Sequence, residues 1–418
     1  MNTNELLEKI KVHSSGCLFS IVGPNTVGKS YSLRYLHEQC NGESLLIDED
    51  GGYTCNITRS KVQRVDNKYL YIDESNRGKD SFDAEQIEID ESSREIISIA
   101  EDCKRQLNVK FVSSGSKKLN NILDIILSLN LNNIKYFFFD EPENFLDDQS
   151  IKVVQRIFDS LAINNKTVVF VTHNPRLLEI LKMDIDFIYL LPKMYGDFIN
   201  LTFQQIENIY RTTGAEISRI QLSAQPGYGD ILEYSKPEKV EYLFLKRLLS
   251  SQEFYRSLFY NEIFLLEGLT ERCVLEESPK LIQHTQNVYY CNGKYQAPFL
   301  IKLFVALHKR VIGVFDRDDG KTGKLPYEIN TYLNQLVATS NNLLTLKYIP
   351  NDLESFLGVD DDVYREILGN EYSANKRDQL AKQYKAYISL FKIRKQPALI
   401  SNLEALFNTS LYSSWTTE

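Results

Sequence analysis

The sequence predicts an α/β protein with two parallel sheets in series, and three observations carry that reading. A glycine-rich loop, Gly23-Pro24-Asn25-Thr26-Val27-Gly28-Lys29-Ser30, separates an apolar strand at 17–22 from a helix through Ser32-Leu33-Arg34-Tyr35-Leu36. Farther on, Tyr136-Phe137-Phe138-Phe139 runs into Asp140-Glu141, the pattern of a strand buried on both faces that delivers acids to a sheet edge. Beyond residue 254, strands and helices alternate again, and two of the strands end at Glu267-Gly268 and at Asp316-Arg317-Asp318. Such alternation implies parallel sheets, whose carboxyl edges collect residues from several strands.

The loop fits G-x-x-x-x-G-K-[ST] without a gap, and its place between strand and helix is the one that phosphate binding needs. Backbone N–H groups wrap the phosphates, the lysine reaches the outer ones, and the hydroxyl faces Mg²⁺. Gly23, Asn25, Gly28, Lys29 and Ser30 are therefore candidate nucleotide contacts, with ATP and Mg²⁺ as expected cofactors. Downstream of such a loop, Asp140 is expected to hold Mg²⁺ and Glu141 to orient or deprotonate the attacking water.

Composition narrows the class. The 418 residues, 43% of them hydrophobic, suffice for two or three globular domains. The six cysteines are scattered with no C-x-x-C pair, which argues against a disulfide framework or a zinc site and suits a reducing cytoplasm. Residues 1–10 read as the start of an amphipathic helix, and no apolar run has the length of a membrane span. A net charge of -8 gives no general affinity for nucleic acid, so such binding must come from a local patch or a metal site. One patch exists: seven basic residues between Lys376 and Lys395 face the single acid Asp378, a run that also suits a solvated helix face.

Two further motifs refine the first domain. Ser113-Ser114-Gly115-Ser116 precedes an apolar-periodic helix (Leu119, Ile122, Leu123, Ile126) and resembles the signature loop of ABC-type ATPases. That resemblance implies that Ser114 and Gly115 contact the γ-phosphate held by a second subunit, hence a homodimer or higher homo-oligomer. The strand Thr167–Val171 leads to Thr172-His173, and His173 matches the switch histidine of the same ATPases. The run Asp140-Glu141-Pro142-Glu143-Asn144-Phe145-Leu146 is similar to the D-E-P-E-x-x-L form of the overcoming-lysogenization-defect (OLD) family. The resemblance covers about residues 1–210. Short strands at 44–48, 53–58, 61–65 and 69–72 read as the antiparallel β insert of such domains, and 84–107 as one ordinary helix.

A linker is placed at 211–253, on Gly214, Pro226-Gly227-Tyr228-Gly229 and Pro237. The second domain, 254–360, resembles the TOPRIM fold, whose motifs are E-G at one strand end and D-x-D at another; 361–418 is expected to be a basic helical segment. The predicted fold is thus a P-loop ABC-type ATPase domain followed by a TOPRIM Rossmann-like α/β domain. The alternation places Glu267 and Asp316 at one edge, and oxygen ligands there suit Mg²⁺ or Mn²⁺. Asp318 joins them through D-x-D. The resemblance to OLD nucleases adds Glu271, four residues after Glu267, and Glu354, after the last sheet strand. It also implies a catalytic lysine, for which Lys392 and Lys395 are the candidates.

These features point to an ATPase fused to a metal-dependent nuclease, with Glu141, His173, Glu267, Asp316 and Asp318 as catalytic candidates. The expected partner is nucleic acid, DNA ahead of RNA, and the OLD resemblance implies anti-phage defence, in which a defence-system protein or a retron is a further candidate partner. Two alternatives stand beside this: a TOPRIM ribonuclease, for instance tRNA-directed, released by an ATPase that senses phage, and a non-cleaving DNA-repair ATPase.

Overall fold

The computed structural model describes residues 1–418 apart from 14–15, 41, 51, 56–59, 66–67, 74–86, 108–113, 194–195, 224–237, 278–285, 292, 374–379, 381 and 409–418. The chain divides into two compact units. The first comprises Met1–Asn200 with Leu249–Phe259, and the second Leu201–Leu248 with Tyr260–Glu418.

In the first unit, α1 (Thr3–Val12) starts at an Asn2 cap whose side chain accepts from the Glu5 N–H while Glu5 answers to the Asn2 N–H. There follow β1 (Leu18–Val22), α2 (Lys29–Gln39), β2 (Ser44–Ile47), β3 (Tyr53–Cys55), β4 (Ser60–Val65), β5 (Lys68–Asp73), β6 (Ile87–Glu88), α3 (Glu91–Leu107) and α4 (Ser114–Ser128). The unit continues through β7 (Tyr136–Asp140), α5 (Asp148–Ile163), β8 (Thr167–Val171), α6 (Pro175–Ile180) and β9 (Ile188–Leu190). The main sheet has the order β3-β2-β7-β8-β1-β9 and is parallel except at β3.

The four aromatics of β7 follow from this placement. Phe138 meets the His37 ring of α2 at 5.8 Å, whereas Phe139 meets Phe158 of α5 at 4.7 Å. Successive residues of a strand point to opposite faces, so a strand covered by helices on both sides is apolar at every position.

The strand at 44–48, expected in the insert, instead belongs to the main sheet. β2 pairs in parallel with β7, Leu45 opposite Phe137, and all four of its residues are buried. Its Ser-Leu-Leu-Ile sequence is that of a strand covered on both faces. The antiparallel sheet among the described residues is β4-β5-β6.

The second unit begins with α7 (Phe203–Ser223) and α8 (Glu238–Leu249). The expected boundaries at 210 and 254 do not coincide with the division seen here. α7 runs through residue 210, with Ile206, Tyr210, Thr213 and Ile217 buried along one face, and Gly214 lies buried in mid-helix. Gly214, expected in the linker, falls instead within this helical period; Pro226–Gly229 and Pro237 lie outside the described residues. The helix α9 (Gln252–Ser257) joins the first unit because Tyr255, wholly buried, donates to the Met183 carbonyl at 2.7 Å.

The second sheet consists of β10 (Glu262–Leu266), β11 (Gln286–Tyr290), β12 (Arg310–Asp316) and β13 (Leu344–Ile349) in the order β11-β10-β12-β13, all parallel. Its connections are α10 (Leu269–Glu276), α11 (Ala297–Ala306) and α12 (Leu325–Thr339), and α13 (Leu353–Phe356) and α14 (Asp361–Leu368) follow. The helix Lys382–Lys395 packs on α10, and its Ile388 and Ile393 enter one core with Phe264, Leu266, Ile312 and Val314. This part of the 361–418 segment is therefore part of the second unit's core, with Lys385 and Lys392 half-buried and Lys395 exposed; Lys376 and Arg377 lie outside the described residues.

Candidate functional site

The phosphate-loop motif is built at the carboxyl edge of the first sheet, where β7, β8 and β1 lie side by side. Gly28 caps α2 with φ 90°, a conformation that L side chains rarely adopt, and a Cβ on Gly23 would stand 2.2 Å from the Leu191 carbonyl oxygen. Lys29 is 4% exposed, and its ammonium donates to the Gly23 and Pro24 carbonyls at 3.0 and 2.7 Å. Burial lowers its pKa to about 8, against the pull of Glu141 and Asp140. Asn25 is exposed at the loop tip, and its carbonyl accepts from the Thr26 hydroxyl at 2.6 Å.

The loop is tied to the acid strand by one bond: the Ser30 hydroxyl donates to Asp140 Oδ1 at 2.9 Å. Burial raises the Asp140 pKa, and the Ser30 bond opposes that shift. Glu141, at φ 47°, sits 2.7 Å from His173 Nε2. Burial and then Asp140 raise the Glu141 pKa, while burial and the Lys29 charge lower that of His173 to about 4. The imidazole is thus neutral at pH 7 and acts as a hydrogen-bonding support for Glu141 rather than as a cation.

Two residues missed by the sequence reading complete this site. Glu143 is 5% exposed and holds the other end of the histidine segment: its Oε1 accepts from Thr172 Oγ1 at 2.5 Å and from the His173 N–H at 3.2 Å. Its second oxygen is buried without a hydrogen-bond partner, and burial raises the pKa to about 7. Glu143 was visible in D-E-P-E, but nothing in that run assigns it to His173. Lys118, on the second turn of α4, donates to the Glu141 carbonyl at 2.5 Å. No sequence signal marked it.

Gly115 is explained within its own chain. A Cβ there would lie 2.3 Å from the Phe145 carbonyl oxygen and 3.1 Å from Leu146 Cδ2, so the start of α4 packs directly against the end of the D-E-P-E-x-x-L run. Ser114 opens α4; its side chain and Ser113 lie outside the described residues.

In the second unit, β10 is flanked by β11 on one side and β12 on the other, so chain connections leave the sheet in opposite directions there. This is a switch point, and the crevice at its carboxyl edge lies between the ends of β10 and β12. Glu267 and Asp316 stand at those ends, and Glu267 Oε2 accepts from the Asp316 N–H at 3.3 Å. Asp316 Oδ1 accepts from the Leu353 N–H at 3.1 Å, which brings α13 and Glu354 to the edge. Burial and the Glu267 charge raise the pKa of Asp316 and Glu271, and burial and Asp352 raise that of Glu354.

The sequence reading missed the basic side of this cluster. Lys294, 3% exposed, donates to the Asp316 carbonyl at 2.6 Å and to the Asp318 carboxylate, and lies 3.4 Å from Glu267 Oε2. Lys321 donates to Asp318 Oδ1 at 2.6 Å. Asn330 donates to the Asp316 and Arg317 carbonyls at 3.1 and 2.8 Å and fixes the turn. Asp318 itself is in the left-handed region at φ 55°. Lys395 pairs with Glu366 instead, and Lys392 has its Cε 3.9 Å from where a Gly358 side chain would start.

Among the described residues, no group of three or more His, Cys, Asp or Glu side chains is set to hold a metal ion. The five acids do share one edge, and their all-oxygen chemistry fits a hard divalent ion, but two ammonium groups are interleaved with them. Among the described residues no helix is long and apolar enough to cross a membrane.

No family model matches the sequence, and no curated protein does. Among solved structures, a chain assigned as a metal-chelate type ABC transporter in an inward-facing conformation is similar at a TM-score of 0.26 and 17% identity, over 46% of this chain and 78% of that one. A likeness that slight transfers neither fold detail nor function.

Proposed function

We propose that the first unit is an ATPase and the second a metal-dependent nuclease, in the manner of OLD-family proteins. The observation that supports the ATPase most directly is the Ser30–Asp140 bond, which sets a magnesium-binding hydroxyl and an acid together beside Lys29. Lys29 would take the outer phosphates, and Ser30 and Asp140 would hold the Mg²⁺. Glu141, steadied by neutral His173, orients or deprotonates the attacking water. Bound Mg²⁺ neutralises charge on the phosphate oxygens.

The nuclease reading rests on five carboxyls at a switch-point edge. Glu267, Glu271, Asp316, Asp318 and Glu354 are the residues that would hold Mg²⁺ or Mn²⁺, which when bound activates water and stabilises a leaving oxygen. DNA is the proposed substrate ahead of RNA, the assembly a homo-oligomer, and the setting anti-phage defence. A second reading, a non-cleaving nucleic-acid ATPase, is favoured by Lys294 and Lys321, which already neutralise Asp318.

Purified protein incubated with plasmid DNA and total RNA, with Mg²⁺ or Mn²⁺ and with or without ATP, separates these readings. Cleavage is expected, and Asp316→Ala/Asp318→Ala should lower it by about 10²-fold or more while ATP turnover stays within about twofold of wild type. Equal cleavage by the double variant and wild type would remove the nuclease assignment.

A further inference from the structure

Lys294 opens the short turn Lys294–Gln296 after β11, where the preceding Gly293 N–H donates to the Glu267 carbonyl at 2.9 Å. That bond anchors the turn to the end of β10 and directs the lysine inward among the acids. Its ammonium is bounded by the Asp316 carbonyl oxygen at 2.6 Å, an Asp318 carboxylate oxygen and Glu267 Oε2 at 3.4 Å. Three oxygens from the ends of two neighbouring strands surround one buried positive charge. This is the environment of a hard cation, supplied by the chain itself.

We infer that Lys294 provides one of the positive charges of this centre, so that the cluster takes a single divalent ion and the ammonium stands in place of a second. The inference rests on the metal-dependent reading of the second unit. Its physical basis is direct. An ion pair with Asp318 withdraws that carboxylate from a second metal, and a fixed ammonium a few ångströms away repels another cation strongly in a site screened from water. The remaining acids, Glu267, Glu271, Asp316 and Glu354, meet at the same sheet edge, where the Asp316 N–H and carboxylate tie the ends of β10 and β12 to α13, and supply oxygen ligands for one ion.

The test is the stoichiometry of Mn²⁺ on the full-length chain without nucleotide, by calorimetric titration and electron paramagnetic resonance. Ions that disappear in Asp316→Asn are those of this centre. Wild type and Lys294→Arg should bind one such ion with an uncoupled six-line spectrum. Lys294→Met should bind two, with a spin-coupled signal. Lys294→Gln, which keeps a hydrogen-bond donor without the charge, should also bind two and serves if Lys294→Met melts early by circular dichroism. Two ions in wild type, or one in both neutral variants, would overturn the inference while leaving the metal centre standing. No ion sensitive to Asp316→Asn in any variant would instead overturn the metal-dependent reading, and this inference with it.

Discussion

Lys29 and Lys294 are buried to nearly the same degree, 4% and 3% exposed, and each lies beside acids at the carboxyl edge of a parallel sheet. Their partners differ. Lys29 bonds to two neutral carbonyls of its own loop, so its charge is held in place yet uncommitted to any carboxylate. Lys294 bonds to the Asp318 carboxylate and lies near that of Glu267. The first arrangement presents a cation to an incoming anion, as phosphate binding requires. In the second, five carboxyls outnumber two ammonium groups, and the surplus favours cations. Similar burial of a lysine thus serves opposite ligands, according to whether the nearest oxygens are neutral or charged.

The largest effect should come from removing the uncommitted charge. Lys29→Ala is expected to lower ATP turnover by about 10³-fold, because the developing charge on the outer phosphates loses its nearest cation. Phosphate release measured on a clean preparation decides it, and turnover within threefold of wild type would dissociate the loop from the chemistry. The comparison is sharpened if the same variant leaves Mn²⁺ binding to the second unit unchanged.

Glu141→Gln comes next. It keeps the size of the side chain and an acceptor for the neutral His173 but removes the base, so hydrolysis should fall by about 10²-fold while ATP binding persists. Equilibrium binding of a fluorescent ATP analogue beside single-turnover hydrolysis separates the two. Loss of binding in proportion to hydrolysis would assign Glu141 to nucleotide retention instead.

The same contrast between the lysines explains what was legible in the sequence. Lys29 is fixed by a contiguous loop whose spacing is dictated by phosphate geometry, and Asp140-Glu141 by an aromatic strand that must be central. Lys294 reaches its acids from a turn 22 to 27 residues away from them in sequence, and a lone lysine in a loop carries no periodicity or motif. Lys118 and Asn330 lie on helices, but each meets its partners only through the fold and belongs to no motif. Glu143 stood in plain view, but its role depends on the neighbouring strand β8, which sequence order alone does not place beside it. The misplaced strand β2 and the helix α7 show the other limit. A short Ser-Leu-Leu-Ile run fits either a lobe or a central strand, and a glycine joined to the turn residues farther on masks a helical period of buried residues.

Gly115→Ala tests whether the start of α4 is constrained in its own chain. The added methyl would meet the Phe145 carbonyl oxygen at 2.3 Å, so either α4 or the D-E-P-E-x-x-L run must move. Overpacking of this kind costs about 1–3 kcal/mol and should lower Tm by several degrees, whatever the protein concentration. An unchanged melt with lost ATP turnover would point to the second-subunit role that the ABC resemblance implies. A loss of both would be the within-chain outcome.

The smallest and most selective effect belongs to Glu143. Its carboxyl is buried with one oxygen unpartnered, and its pKa rises from 4.5 to about 7 on folding. Between those values the folded chain holds a proton that the unfolded chain has released, so stability falls as pH rises through this window and the full penalty applies above pH 7. Below pH 4.5 both states are protonated and the penalty vanishes. Glu143→Gln keeps an acceptor for Thr172 and the His173 N–H but cannot ionise. It should therefore stabilise the protein by about 1–3 kcal/mol at pH 8, somewhat less than the roughly 3.5 kcal/mol which that shift is worth at about 1.4 kcal/mol per pH unit, and by almost nothing at pH 4. Denaturant unfolding of both proteins across pH 4–8 measures the difference directly. A gain independent of pH would mean that the amide simply packs better, and a loss at pH 8 would mean that the ionised carboxylate, held by Thr172 and the His173 N–H, is the form the fold requires.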